Sequence, residues 1–88
     1  MAKIIKDDKW YDPEGLDIPT PPKTHFEGTR EECYAEMRKL IERYENRQRD
    51  GISLETLDFD VYQGKCHPSH IAVYFLHAIS KEYYKVVA

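Results

Sequence analysis

The stretch TREECYAEMRKLIERYENRQRDG, residues 29–51, contains the strongest local structural signal in the chain. Thr29 followed three residues later by Glu32 is a capping box, in which each side chain satisfies a free backbone N–H group at a helix start. Gly51 suits the left-handed position that often ends a helix. The sequence therefore predicts a long helix at about residues 30–49.

The predicted helix is amphipathic. Its apolar residues recur at spacings of three and four and form one stripe: Cys33, Met37, Leu40, Ile41 and Tyr44. This pattern is typical of a helix that buries one face in a core. We expect the helix to lie across a small sheet.

A second pattern, at residues 57–62, has the period of two that is typical of a half-buried strand. The apolar set is Leu57, Phe59 and Val61, and it alternates with Asp58, Asp60 and Tyr62. We expect the apolar set to face the core and the two carboxylates to face water.

The C-terminal segment, at about residues 68–84, is compatible with two structures. Ile71, Phe75, Ala78, Ile79 and Tyr83 suit a helix that has Pro68 near its first turn. The run IAVYF at residues 71–75 is rich in β-branched and aromatic residues and also suits a buried strand. We predict a second helix here and keep the strand as the alternative.

Residues 1–23 are predicted to form an extended, proline-containing N-terminal arm. Pro19, Pro21 and Pro22 exclude a helix in this segment. Together, these elements predict a single small α+β domain spanning residues 1–88, with one small sheet packed by the long helix.

Composition limits the classes of function. The net charge is −3, whereas a domain built to bind nucleic acid usually carries a basic excess. No apolar run is long enough to span a bilayer, and the N-terminus lacks the apolar core of a signal peptide. The two cysteines, Cys33 and Cys66, are too few for a disulfide framework. We expect a cytoplasmic protein without a membrane association.

The run CHPSH at residues 66–70 most resembles a chemical site. Cys and His are good zinc ligands, and together they can also form a nucleophile and its base. However, structural zinc sites usually present ligands in tight pairs, and no glycine-rich loop accompanies this run. We predict no enzyme activity, no metal and no cofactor. A small metal-binding module around Cys66, His67 and His70 stays open as an alternative.

Aromatic and acidic residues indicate one binding surface. Trp10, Tyr11 and Tyr62 are candidates for exposure, and Trp and Tyr dominate protein-binding hot spots. On the predicted strand, Tyr62 would share a face with Asp58 and Asp60 and form an acidic-aromatic patch.

A second candidate surface is the basic row of the helix, which consists of Lys39, Arg43 and Arg47 at spacings of four. Such a row can contact phosphates or an acidic protein surface. Its cations also complement the dipole at the C-terminal end of a helix, which is a purely structural explanation.

These observations favour a non-enzymatic small intracellular protein that binds and regulates or inhibits a protein partner. Small acidic domains without a catalytic constellation are commonly of this kind, including many encoded by phages and mobile elements. The alternative is a nucleic-acid or nucleotide binder that uses the basic row. Because a domain of 88 residues has a small core, a homodimer is a further alternative.

Overall fold

The computed structural model describes residues 1–11, 17–19, 22–75 and 80–88. Within these residues the chain forms six strands, one α-helix and a 3₁₀ turn. In chain order they are β1 (Ala2–Tyr11), β2 (Asp17–Pro19), β3 (Lys23–Gly28), α1 (Arg30–Glu45), the 3₁₀ turn (Gln48–Asp50), β4 (Ile52–Tyr62), β5 (Lys65–Phe75) and β6 (Ser80–Val87).

The described strands belong to one antiparallel sheet in the order β4-β5-β6-β1. The remaining edge of β1 pairs with β3 near the start of β1 and with β2 near its end. The helix packs across one face of this sheet, chiefly against β5. The predicted α+β class, with one sheet and one long helix across it, is confirmed.

The start of α1 agrees with the sequence. The Thr29 side chain accepts a hydrogen bond from the Glu32 backbone N–H at 3.2 Å, and the Glu32 carboxylate accepts one from the Thr29 N–H at 3.1 Å. The α-helix ends at Glu45, earlier than the predicted residue 49, because the following residues tighten into the 3₁₀ turn. Gly51 ends that turn at a φ of 80°, in the left-handed region predicted for it.

The core lies between the apolar stripe of α1 and the sheet. Its helix residues are Cys33, Tyr34, Met37 and Leu40, and its most buried sheet residues are Ile4, Ile71, Val73 and Tyr84. Ile41 and Tyr44 pack against this cluster and are partly buried. Full burial of one large apolar side chain contributes about 1.5–3 kcal/mol, so these contacts dominate the stability of the fold.

The predicted second helix at about residues 68–84 is wrong, because residues 65–75 form β5 and residues 80–87 form β6. The spacing of four between Ile71 and Phe75 suits a helix, but four is also even and keeps both residues on one face of a strand. β5 lies between β4 and β6, so Ile71, Ala72 and Val73 are fully buried. A doubly paired, buried strand is the environment that β-branched residues favour.

β4 is a strand, but it presents the opposite face to the one predicted. Asp60 and Tyr62 contact residues of α1, whereas Phe59 and Val61 are 57% and 75% exposed. The physical reason is a polar contact, since Tyr34 of the helix donates a hydrogen bond to Asp60. Register shifts around Asp58 further interrupt the simple alternation.

Among the described residues, α1 is the only α-helix, and it falls short of the length and apolarity that a membrane-spanning helix requires.

Replacing Thr29 with Ala removes the side-chain acceptor at the helix start and leaves a backbone donor without its partner. We expect the free energy of unfolding to fall by about 1 kcal/mol, the usual cost of losing an N-cap. Urea denaturation measures this change. The matched control is Glu31→Gln in the same turn, because Glu31 takes no part in the capping box. Equal losses in the two variants would contradict the assignment.

Candidate functional site

The β4–β5 hairpin contains most of the surface features that suggest function. Its two strands are joined by Gln63 and Gly64, which have positive φ values of 52° and 74°. Positive φ at both central residues is the geometry of a type I′ turn, which matches the natural twist of paired strands. The hairpin therefore has two well-defined sides, an inner one facing α1 and an outer one facing away from it.

The inner side is held to α1 by a polar and aromatic network. Tyr34 Oη donates a hydrogen bond of 2.7 Å to Asp60 Oδ2, and Arg30 Nη2 lies 3.8 Å from the same oxygen. The Arg30 guanidinium also lies over the Tyr62 ring, 5.5 Å from its centroid. Arg30 therefore compensates the charge of Asp60, the carboxylate on the inner side of β4.

His67 belongs to the same network. Its ring stacks on Tyr34, with centroids 4.5 Å apart and an interplanar angle of 9°. Arg38 Nη2 lies 2.9 Å from His67 Nδ1. Because a guanidinium only donates, His67 Nδ1 is the acceptor in this contact. Burial, reinforced by the Asp60 carboxylate, raises the pKa of Tyr34, so Tyr34 remains a donor. This arrangement fixes the hairpin to the helix.

Phe59 and Val61 alternate with Asp60 and Tyr62 along β4 and lie on the outer side of the hairpin. Together with Leu57, which precedes them at a register shift, they form the hairpin patch. The side chains of Leu57, Phe59 and Val61 are 41%, 57% and 75% exposed. The only other exposed large apolar residue in the described part of the chain is Met1. Single apolar residues on a surface are normal, but a group of three on one strand indicates an interaction surface.

The predicted acidic-aromatic patch of Asp58, Asp60 and Tyr62 is wrong as a single face. Asp60 and Tyr62 lie in the inner network, whereas Asp58 pairs in register with His70, and its charge acts on that ring. Asp58 Oδ1 accepts a hydrogen bond of 2.9 Å from the Phe59 N–H. Asp58 is thus the member of the predicted set that lies beside the hairpin patch.

The other predicted binding residues lie elsewhere. Trp10 and Tyr11 are the last residues of β1, and their side chains lie outside the described residues. In the basic row, Lys39 and Arg43 are exposed on the solvent side of α1. Arg47 Nε lies 3.5 Å from Asp50 Oδ2, so Arg47 has an acidic partner. The basic row and the hairpin patch therefore belong to different elements of the fold.

The structure separates the residues of the CHPSH run. Cys66 is exposed, His67 lies in the inner network, and His70 lies on the outer face of the sheet. Across the described ranges, no three His, Cys, Asp or Glu residues are grouped as metal ligands. Cys33 is buried on the helix stripe, and this burial, with the nearby Glu32 charge, raises the pKa of its thiol. The metal-binding alternative required the side chains of Cys66, His67 and His70 to converge on one point, and their positions do not bring them together.

The outer face of the sheet also contains a concavity of about 440 Å³, the outer groove, which we did not predict from the sequence. Its lining includes Ile5, His70, Lys85 and Val87. Burial lowers the pKa of His70, and the positive charge of Lys85 lowers it further, while Asp58 acts in the opposite direction. The sequence does contain a signal for this face, namely the consecutive apolar pairs at residues 4–5 and 86–87. Because adjacent residues of a strand point to opposite faces, each pair places one apolar side chain on the face away from α1.

Compared with protein-family models, with curated proteins and with solved structures, the chain matches none.

Replacing Tyr34 with Phe removes the hydroxyl that holds Asp60 and keeps the stacked ring. We expect the free energy of unfolding to fall by about 1 kcal/mol, because one hydrogen bond to a half-exposed carboxylate is lost. Chemical denaturation measures this change. The control is Tyr74→Phe, which removes a Tyr–Glu55 bond of 3.1 Å at the surface and should cost much less. A larger loss in the control would contradict the role given to the inner network.

His70 predicts a pH dependence of stability. In the unfolded chain its imidazole titrates near the ordinary value of 6.5, and in the folded chain its pKa is lower. Between these two values the unfolded state binds more protons, so stability falls as the pH is lowered through this window. We expect His70→Asn to flatten this part of the stability profile, measured by urea denaturation between about pH 8 and pH 5. Lys85→Gln should reduce the effect, and an unchanged profile in His70→Asn would contradict the prediction.

Proposed function

We propose that this chain is a small, non-enzymatic protein-binding module that regulates or inhibits a partner by docking the hairpin patch onto it. The observation that carries the proposal is the exposure of Leu57, Phe59 and Val61 on one strand at the edge of the sheet. Removing apolar surface from water is favourable by about 25 cal/mol per Å². Docking of the hairpin patch onto a partner would gain this free energy.

The charges around the hairpin patch suggest the chemistry of the partner. Glu55 and Asp58 are exposed on the same strand, and the chain has a net charge of −3. Asp60 contributes little to this field because Arg30 lies beside it. The expected partner is a protein surface with an apolar centre and a basic rim, since complementary charge speeds association and fixes orientation.

The proposal needs no catalytic step from the inner network. Tyr34, Asp60 and His67 are engaged with one another or with arginines, which supports a structural role for them. The proposal places the protein in a reducing cytoplasm, where Cys66 stays a free thiol.

A second candidate function is nucleic-acid binding by the basic row. It is supported by Lys39 and Arg43, which are exposed and have no carboxylate at ion-pair distance within the described part of the chain. Because the basic row and the hairpin patch share no residue and belong to different elements, substitutions distinguish the two functions.

The test is affinity capture from host lysate by the tagged protein and by the double variant Phe59→Ser/Val61→Ser. We expect the wild type to capture a protein that survives nuclease treatment, and the double variant to lose it. With the purified partner, the affinity should fall by about 30-fold or more, the effect expected from losing a hot spot.

The matched control is Lys39→Ala/Arg43→Ala, which should keep the partner. Thermal melts should show that both double variants remain folded, because all four side chains are exposed. Capture that disappears with nuclease, or that is lost in the control and retained in Phe59→Ser/Val61→Ser, would overturn the proposal in favour of the basic row.

A further inference from the structure

The outer groove is formed by neighbouring residues of three paired strands. Lys85 of β6 stands between Ile5 of β1 and His70 of β5, and Tyr83 stands opposite Asp7. No helix or strand of the described residues covers this face, since α1 packs on the other one. The volume of about 440 Å³ falls within the range of about 300–1,000 Å³ that is typical of small-molecule sites.

The walls of the groove are largely apolar. Ile5 and Val87 are partly exposed, and Pro22 is exposed at the rim. Apolar walls of this kind suit the carbon skeleton of an organic molecule rather than a small hydrated ion.

The charge in the groove is unevenly distributed. The exposed Lys85 has no carboxylate at ion-pair distance within the residues that the structure describes. Burial lowers the pKa of the neighbouring His70, and the positive charge of Lys85 lowers it further, although Asp58 acts in the opposite direction. Asp7 lies two residue pairs further along, beside Tyr83. One end of the groove is therefore cationic and the other end is acidic.

We propose that the outer groove is a binding site for a small organic anion with an apolar body. The charged group lies at Lys85 and His70, and the apolar body lies against Ile5, Pro22 and Val87. Asp7 repels the anion from the opposite end and thereby sets its orientation. This site is independent of the hairpin patch, because it uses other residues and a different kind of ligand.

The probe for this site is 8-anilinonaphthalene-1-sulfonate, which joins an aromatic body to one negative charge. We expect it to bind the folded wild type at one site, as measured by fluorescence titration. Lys85→Gln should bind it roughly tenfold more weakly, since one partly screened charge pair is lost.

The matched control is Lys81→Gln. Lys81 lies on the same strand and on the same face, but it is over the Tyr74 ring and outside the groove. This variant should bind the probe as the wild type does. N-Phenyl-1-naphthylamine, which lacks the sulfonate, should bind the wild type and Lys85→Gln equally.

Two further measurements locate the probe. Amide chemical shifts in ¹⁵N-labelled protein should change around Ile5, His70 and Lys85, and NMR titration should show that the bound anion raises the pKa of His70. Absence of wild-type binding, equal losses in Lys85→Gln and Lys81→Gln, or shifts confined to the hairpin patch would each overturn the proposal. A dimer that buries this face and excludes the probe, detected by analytical ultracentrifugation, would also overturn it.

Discussion

The packing of α1 on one face of the sheet is the constraint on which the rest of the structure depends. Within the described residues no other element covers the sheet, so each strand directs alternate residues either to the helix or away from it. Cys33, Met37 and Leu40 define the covered side. The hairpin patch and the outer groove both lie on the uncovered side, and both therefore result from having a single helical layer.

Two carboxylates attach the helix to the sheet through tyrosine hydroxyls. Near the start of α1, Asp60 accepts from Tyr34. Near its end, Glu82 Oε2 accepts from Tyr84 at 2.8 Å and from Tyr44 of the helix at 3.5 Å, and Lys6 lies 3.4 Å from Glu82 Oε1. Burial, with hydrogen bonding to Glu82, raises the pKa of Tyr84, so this hydroxyl stays a donor. These contacts at two points along the helix fix its position on the sheet in a way that apolar packing alone does not.

How well each element could be predicted from the sequence depended on how local its signal was. The start of α1 was predictable because the capping box needs only Thr29 and Glu32. The strand at β5 was not predictable in this way, because the spacing of four between its apolar residues is compatible with both a helix and a strand. For β4, the sequence predicted the strand and assigned its two sides the wrong way round. The alternation of apolar and polar residues along β4 predicts that Phe59 is buried. The hydrogen bond of Tyr34 to Asp60, two residues that are 26 positions apart in the sequence, determines which side of β4 faces the helix.

The two cysteines differ in a way that has a practical consequence. Cys33 is fully buried on the helix stripe, and its raised pKa leaves little thiolate, whereas Cys66 is exposed and stands opposite Val61 in the hairpin. Since the thiolate is the reactive form, a maleimide dye added to the native protein would label Cys66 selectively. The natural sequence therefore already provides a single attachment point for a fluorescent reporter next to the hairpin patch, and no engineered cysteine is required.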